Sequence, residues 1–272
     1  KNKMMRLASV LLVLTLLSTS VISGTFAKYT TQATGGDSAR VAKWGVEAGV
    51  AGTLFGDAYK DEIVEYSKDE SGNAITVQAD VQATDVVAPG TQNTTGMTFT
   101  LKGKPEVDTK ISITCACTAD VALDAGTYVD YTKGEAFTAE ESMKPTFTLD
   151  HKYYPLVFTL YNGNGEILEQ GMFRYIATYL QGLSKTYDTN TDLGAIGKSN
   201  ITGSTAVTDG VYRLTWAWDY DGAQTLEGHD FNATQVDQAD TFLGQVAAGA
   251  VTSDKASTNF AFTISITAEQ VD

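Results

Sequence analysis

Histidine, cysteine and basic side chains are scarce in this chain, and each scarcity removes a class of function. There are two histidines, His151 and His229. Neither lies in an H-E-x-x-H pair, and a histidine-based triad would have no other candidates, so both read as surface loop residues. The two cysteines, Cys115 and Cys117, are separated by one residue. On a strand that spacing puts both thiols on one face beside Ile111 and Ile113, where they read as small core residues rather than as a strained disulfide or half of a metal site. Lys and Arg number 19 against 33 Asp and Glu, a formal net charge of −14. Like charge would repel a nucleic-acid backbone or an anionic lipid surface, so no nucleic-acid partner is expected. No G-x-S-x-G nucleophile elbow and no phosphate-binding loop occurs. No catalytic, cofactor-binding or metal-ligating set emerges, and an enzyme is not expected.

What is present begins with a leader. Lys1, Lys3 and Arg6 precede an uncharged, mostly apolar run from Leu7 to Ser23, which ends in Gly24 and the small-residue site Thr25-Phe26-Ala27. The run sits near the lower length limit of a spanning helix and is diluted by Ser and Thr, so residues 1–27 read as a signal peptide cut after Ala27, with an uncleaved anchor as the alternative. Cleavage removes three basic residues and no acidic one, leaving the exported chain still more acidic. No second apolar run of spanning length follows, and no membrane attachment is expected after cleavage.

From Gly35 onward, apolar and polar residues repeatedly alternate with period two in short runs divided by Gly, Asn, Asp and Pro, the pattern of half-buried strands. Ala42, Trp44, Val46 and Ala48 share one face, as do Met97, Phe99 and Leu101. Asn162-Gly163-Asn164-Gly165 predicts a hairpin turn, because Asn and Gly accept positive φ. The strongest strand aligns Tyr212, Leu214, Trp216, Trp218 and Tyr220; that row reads as a core stripe, with a carbohydrate platform as the alternative. The last strand sets Phe260, Phe262, Ile264 and Ile266 against Ala261, Thr263, Ser265 and Thr267, and could also pair at an edge. The fold class is therefore mainly β, an antiparallel sandwich, with residues 28–272 forming one domain.

One stretch breaks this period. Met172, Phe173, Ile176, Leu180 and Leu183 recur at three- and four-residue steps, predicting a helical insertion over 170–190. A second short helical turn is expected to begin at Asp240, acting as N-cap. After the first helix, Asp188, Asn190 and Asp192 set three oxygen-bearing side chains at alternate positions, like the start of a calcium loop. Gly194 stands one place late for an EF-hand and Ser199 occupies the position of its bidentate Glu, so a solvated turn is the expectation.

Several motifs in order resemble a known family. Gly24-Thr25-Phe26-Ala27-Lys28-Tyr29, the APGTQNTTGMTFTLKGKPEVDTKISI stretch from Ala88, the TWAWDYDG segment with Asp240-Thr241-Phe242-Leu243-Gly244, and the terminal ISITAEQV are together similar to the TasA/camelysin family, secreted proteins of Gram-positive bacteria with a SipW-type signal peptide. The resemblance implies a jelly-roll sandwich, export, and assembly into extracellular matrix fibres of a biofilm, in which an N-terminal segment of one subunit completes the sheet of the next by strand addition. Residues 28–40, KYTTQATGGDSAR, would be that donor arm or else a flexible N-terminus. Two readings follow from different classes. One is a secreted structural subunit that self-associates into matrix or cell-surface fibres. The other is a monomeric cell-surface adhesin that holds glycan or protein on the face around Trp216 and Trp218. A camelysin-like metalloprotease is a third, lacking a recognisable zinc site. An open sheet edge would speak for the first; exposed tryptophan rings would speak for the second.

Overall fold

The computed structural model describes residues 42–56, 64–68, 74–77, 86–118, 122–197, 209–219, 223–226 and 228–271. The leader (1–27), the arm (28–40) and Tyr220 lie outside the described residues. Within them the protein is mainly β, and every strand pairing is antiparallel.

The larger sheet has five strands. β1 (Glu47–Ala51) pairs with β4 (Gln92–Lys102), which pairs with β11 (Val211–Trp218), then β8 (Leu156–Asn162) and β9 (Ile167–Gly171). A second sheet orders β10 (Thr186–Tyr187), β5 (Thr109–Thr118) and β14 (Ala261–Gln270). Three two-stranded ribbons complete the β structure: β2 (Val64–Lys68) with β3 (Ala74–Val77), β6 (Gly126–Val129) with β7 (Thr146–Leu149), and β12 (Gln224–Leu226) with β13 (His229–Phe231). The two larger sheets share one apolar core: Phe99, Leu101, Phe158, Leu160, Tyr212, Leu214 and Trp216 come from the first, Ile111 and Ile113 from the second. Alternation dictates this arrangement, since every second residue of each strand turns inward.

The Asn162–Gly165 turn joins β8 to β9 as expected. Gly165 adopts φ +80°, and the Asn162 Oδ1 accepts the N–H groups of Asn164 and Glu166. The predicted helix exists but is shorter than 170–190: α1 spans Phe173–Gly182. Leu183 ends it, and the chain then re-enters the β structure, where Thr186 and Tyr187 pair with Lys110 and Thr109. Edge hydrogen bonding to β5 thus overrides the helical spacing of the last residues. Phe173 opens α1 and bridges the sheets, its ring 5.5 Å from Phe158 of β8 and 5.4 Å from Phe262 of β14, both edge-on.

The second helix corrects the other expectation. α2 runs Ala233–Ala247 and its N-cap is Asn232, in a capping box with Gln235: the Asn232 side chain accepts from the Gln235 N–H, and the Gln235 side chain accepts from the Asn232 N–H. Asp240 is therefore a helix-interior residue, and a buried one. The first predicted strand also begins late. Residues 42–46 are not strand, and all five residues of β1, including Ala48, are exposed.

Candidate functional site: an open sheet edge and the cavity at its end

β14 is the outermost strand of its sheet; among the described residues β5 alone pairs with it, in an unbroken ten-residue register from Ala261↔Thr118 to Gln270↔Thr109. The direction of its backbone groups follows from two bonds. Val271 N–H donates to the Asp108 carbonyl at 3.0 Å, and Ile111 N–H donates away from β14 to the Lys185 carbonyl at 2.9 Å. Hydrogen-bonded pairs in an antiparallel ladder recur every second residue. Odd-numbered residues of β14 therefore bond to β5, while Phe262, Ile264, Ile266 and Ala268 turn their N–H and C=O groups to the open side.

The same four residues point their side chains inward, yet all four are only half-buried, whereas Ile111 and Ile113 on the neighbouring strand are buried. The core is thus thinly covered along this border. β1, the outermost strand of the larger sheet, comes into contact with β14 and, among the described residues, pairs only with β4. Two strand borders thus lie side by side, one from each sheet, over partly exposed apolar side chains. Natural edges are usually blunted by lysine, proline, bulges or shortness. AFTISITAEQ has none of these, and its one charge, Glu269, stands near the end.

A cavity of about 280 Å³ closes one end of this border. Its walls come from five segments, one of them Trp218 at the end of β11. Phe55 is positioned by its neighbour Leu54, whose carbonyl accepts both the Asn93 amide at 2.9 Å and the Trp216 indole N–H at 2.7 Å. Val86 to Pro89 are held because Gly90 N–H donates to the Trp218 carbonyl and Trp218 N–H to the Thr91 carbonyl. Ser257 to Phe260 lead into β14, anchored by the bond from Ser257 N–H to the Ala122 carbonyl. α2 contributes Asp240, Leu243, Gly244 and Ala247.

Asp240 is the one charged residue in this lining. Its carboxylate accepts the Tyr153 phenol O–H at 2.7 Å and the Trp218 indole N–H at 3.1 Å. Burial raises its pKa to about 7; the two hydrogen bonds pull the other way, and the nearby carboxylates Asp237 and Asp219 push it up further. Burial and the Asp240 charge together hold the Tyr153 phenol well above its ordinary range.

The remaining sequence candidates fall elsewhere. Trp216 and Trp218 are 2% and 5% exposed, so their row is a core stripe and offers no stacking platform. Cys115 and Cys117 form no disulfide and pack, half-buried, against the core; burial pushes the Cys115 thiol up. The Asp192 carboxylate caps the Gly194 N–H of a short 3₁₀ turn, while Asp188 and Asn190 are exposed. No three His, Cys, Asp or Glu side chains gather into a metal site among the described residues. His151 and His229, distant in sequence, stack face to face with ring centroids 3.4 Å apart; His151 is exposed in its loop, but His229 is half-buried on β13. Nothing in local spacing announced that pair, nor the burial of Asp240, because both depend on how β13 and α2 pack on distant segments.

The chain matches no family model, no curated protein and no solved structure.

Proposed function

We propose that this protein is a secreted structural subunit that assembles into cell-surface or matrix fibres by strand addition, in the manner of the TasA/camelysin family, whose export and cleavage motifs its N-terminus resembles. The observation that carries this reading is the ten-residue β14 edge, unblunted and lying over half-covered apolar side chains. An added strand would satisfy the outward N–H and C=O groups of Phe262, Ile264, Ile266 and Ala268 and cover the side chains beneath, so main-chain bonds and apolar burial would act together. The donor is the arm at residues 28–40, released for pairing when the leader is cut after Ala27. The adhesin reading based on Trp216 and Trp218 has no exposed rings to use.

The test is electron microscopy, with size-exclusion chromatography in parallel, of residues 28–272 beside a chain lacking residues 28–38. Fibres from the first and discrete particles from the second are expected. Discrete particles from both, across pH, salt and calcium, would overturn self-assembly.

A further inference from the structure

The cavity beside Asp240 has the dimensions and chemistry of a socket for one side chain. At about 280 Å³ it stands at the small end of the ~300–1,000 Å³ of typical cofactor and metabolite pockets. Its apolar walls include Phe55, Val87, Trp218, Leu243 and Phe260. A carboxylate offers roughly four acceptor positions; Tyr153 and Trp218 take two, which leaves Asp240 able to accept from a guest. Gly244 adds an independent indication. It sits inside α2, where glycine costs ~1 kcal/mol relative to alanine, its φ is not positive, and a Cβ there would meet nothing within 4 Å. Neither backbone geometry nor packing within the described fold calls for glycine, and Gly244, exposed on α2, is among the residues that line the cavity.

We propose that this socket binds a phenol ring, and that the ring is Tyr29 of the N-terminal arm, its O–H donating to Asp240. This rests on the strand-addition reading of the β14 edge. Residues 28–41 contain one aromatic side chain, Tyr29, and it carries a hydroxyl donor. Position and reach agree. Lys43 exchanges hydrogen bonds with Glu106, and Asp108, two residues on, accepts from Val271, so the first described residues of the chain lie at the Val271 end of β14. The cavity lies at the other end, beside Phe260. Ten residues of β14 span ~33 Å, and residues 29–41 extended at ~3.3 Å each reach ~43 Å. An extended arm starting from the Val271 end therefore has the length to reach the cavity with Tyr29. Exchanging that arm with a neighbouring copy gives the same contact between subunits, as in domain swapping.

The test is calorimetric titration of a synthetic peptide, residues 28–40, into the chain lacking residues 28–38, which has no arm of its own to compete for the edge or the socket. Saturable binding is expected, weakened at least tenfold when the peptide carries Tyr29→Ala. Binding should also fall at least tenfold in a host that additionally carries Gly244→Leu, which sets a bulky side chain in the cavity lining at a helix position where a Cβ meets nothing within 4 Å, with circular dichroism and a thermal melt checking that the fold is kept. Absence of saturable binding, equal binding of the Tyr29→Ala peptide, or indifference to Gly244→Leu would each overturn the assignment. The two proposals separate cleanly: fibres that form normally from a Tyr29→Ala chain would remove the socket and leave assembly standing, whereas peptide binding without fibres would do the reverse.

Discussion

Trp218 donates its indole N–H to the carboxylate of Asp240 at 3.1 Å, joining the end of the central strand β11 to the middle of helix α2 inside the core. With Tyr153 donating to the other oxygen, the pair forms a buried polar junction that also lines the cavity at the end of the open edge. A buried carboxylate of this kind makes stability depend on pH.

The folded-state pKa of Asp240 is about 7, against an ordinary value of 3.8. Between those values the folded protein holds a proton that the unfolded chain has released, so stability falls as pH rises across that window and levels off above it. At ~1.4 kcal/mol per unit, the difference attributable to Asp240 is on the order of 4 kcal/mol. Urea denaturation at pH 5 and pH 8 should show the greater stability at pH 5. Asp240→Asn should flatten that difference while lowering stability at pH 5, because one end of the amide must present N–H groups to a donor. An unchanged pH profile in the variant would contradict the assignment.

Two glycines should respond to alanine in opposite directions. Gly96 has φ +70°, and a Cβ there would lie 2.2 Å from the Leu214 carbonyl oxygen, where β4 bulges against β11. Gly96→Ala should cost more than ~2 kcal/mol, since both backbone strain and a clash with main chain apply. Gly244→Ala should be neutral or stabilising by up to ~1 kcal/mol through helix propensity alone. Thermal melts of the two variants check both signs.

The orientation of β14 can be tested with proline, which deletes one N–H. Ala268 faces its N–H to the open side, so Ala268→Pro should leave the β5 ladder intact, cost little stability and block strand addition. Thr267 is paired with Ser112, and Thr267→Pro should lose a ladder bond and cost ~3 kcal/mol or more. Equal destabilisation by both would mean the register of outward groups is wrong.

Much of the architecture was legible because period-two alternation reports directly which side chains turn inward. Phe99 and Leu101 on β4, Ile111 and Ile113 on β5, and Leu214 and Trp216 on β11 all follow that rule. The hairpin at Asn162–Gly165 was legible because positive φ restricts residue choice. Helix boundaries were not. The spacing that suggests a helix through Leu183 continues locally, but Thr186 and Tyr187 are claimed by β5, and a partner more than seventy residues away leaves no local trace. Asp240 misled for a related reason: Asp is a good N-cap on local grounds, whereas here Asn232 caps the helix and Asp240 is turned inward to meet Tyr153 and Trp218. Which strands end at an open border was anticipated only as a possibility for the last one, since alternation fixes faces and not neighbours.

The most direct test of the account is amide hydrogen exchange at Phe262, Ile264, Ile266 and Ala268, compared between dispersed and assembled protein. Fast exchange is expected at these four amides in the dispersed chain, beside protected Thr263, Ser265 and Thr267, and strong protection of all of them after assembly. Four amides that remain fast in the assembled state would contradict strand addition at β14.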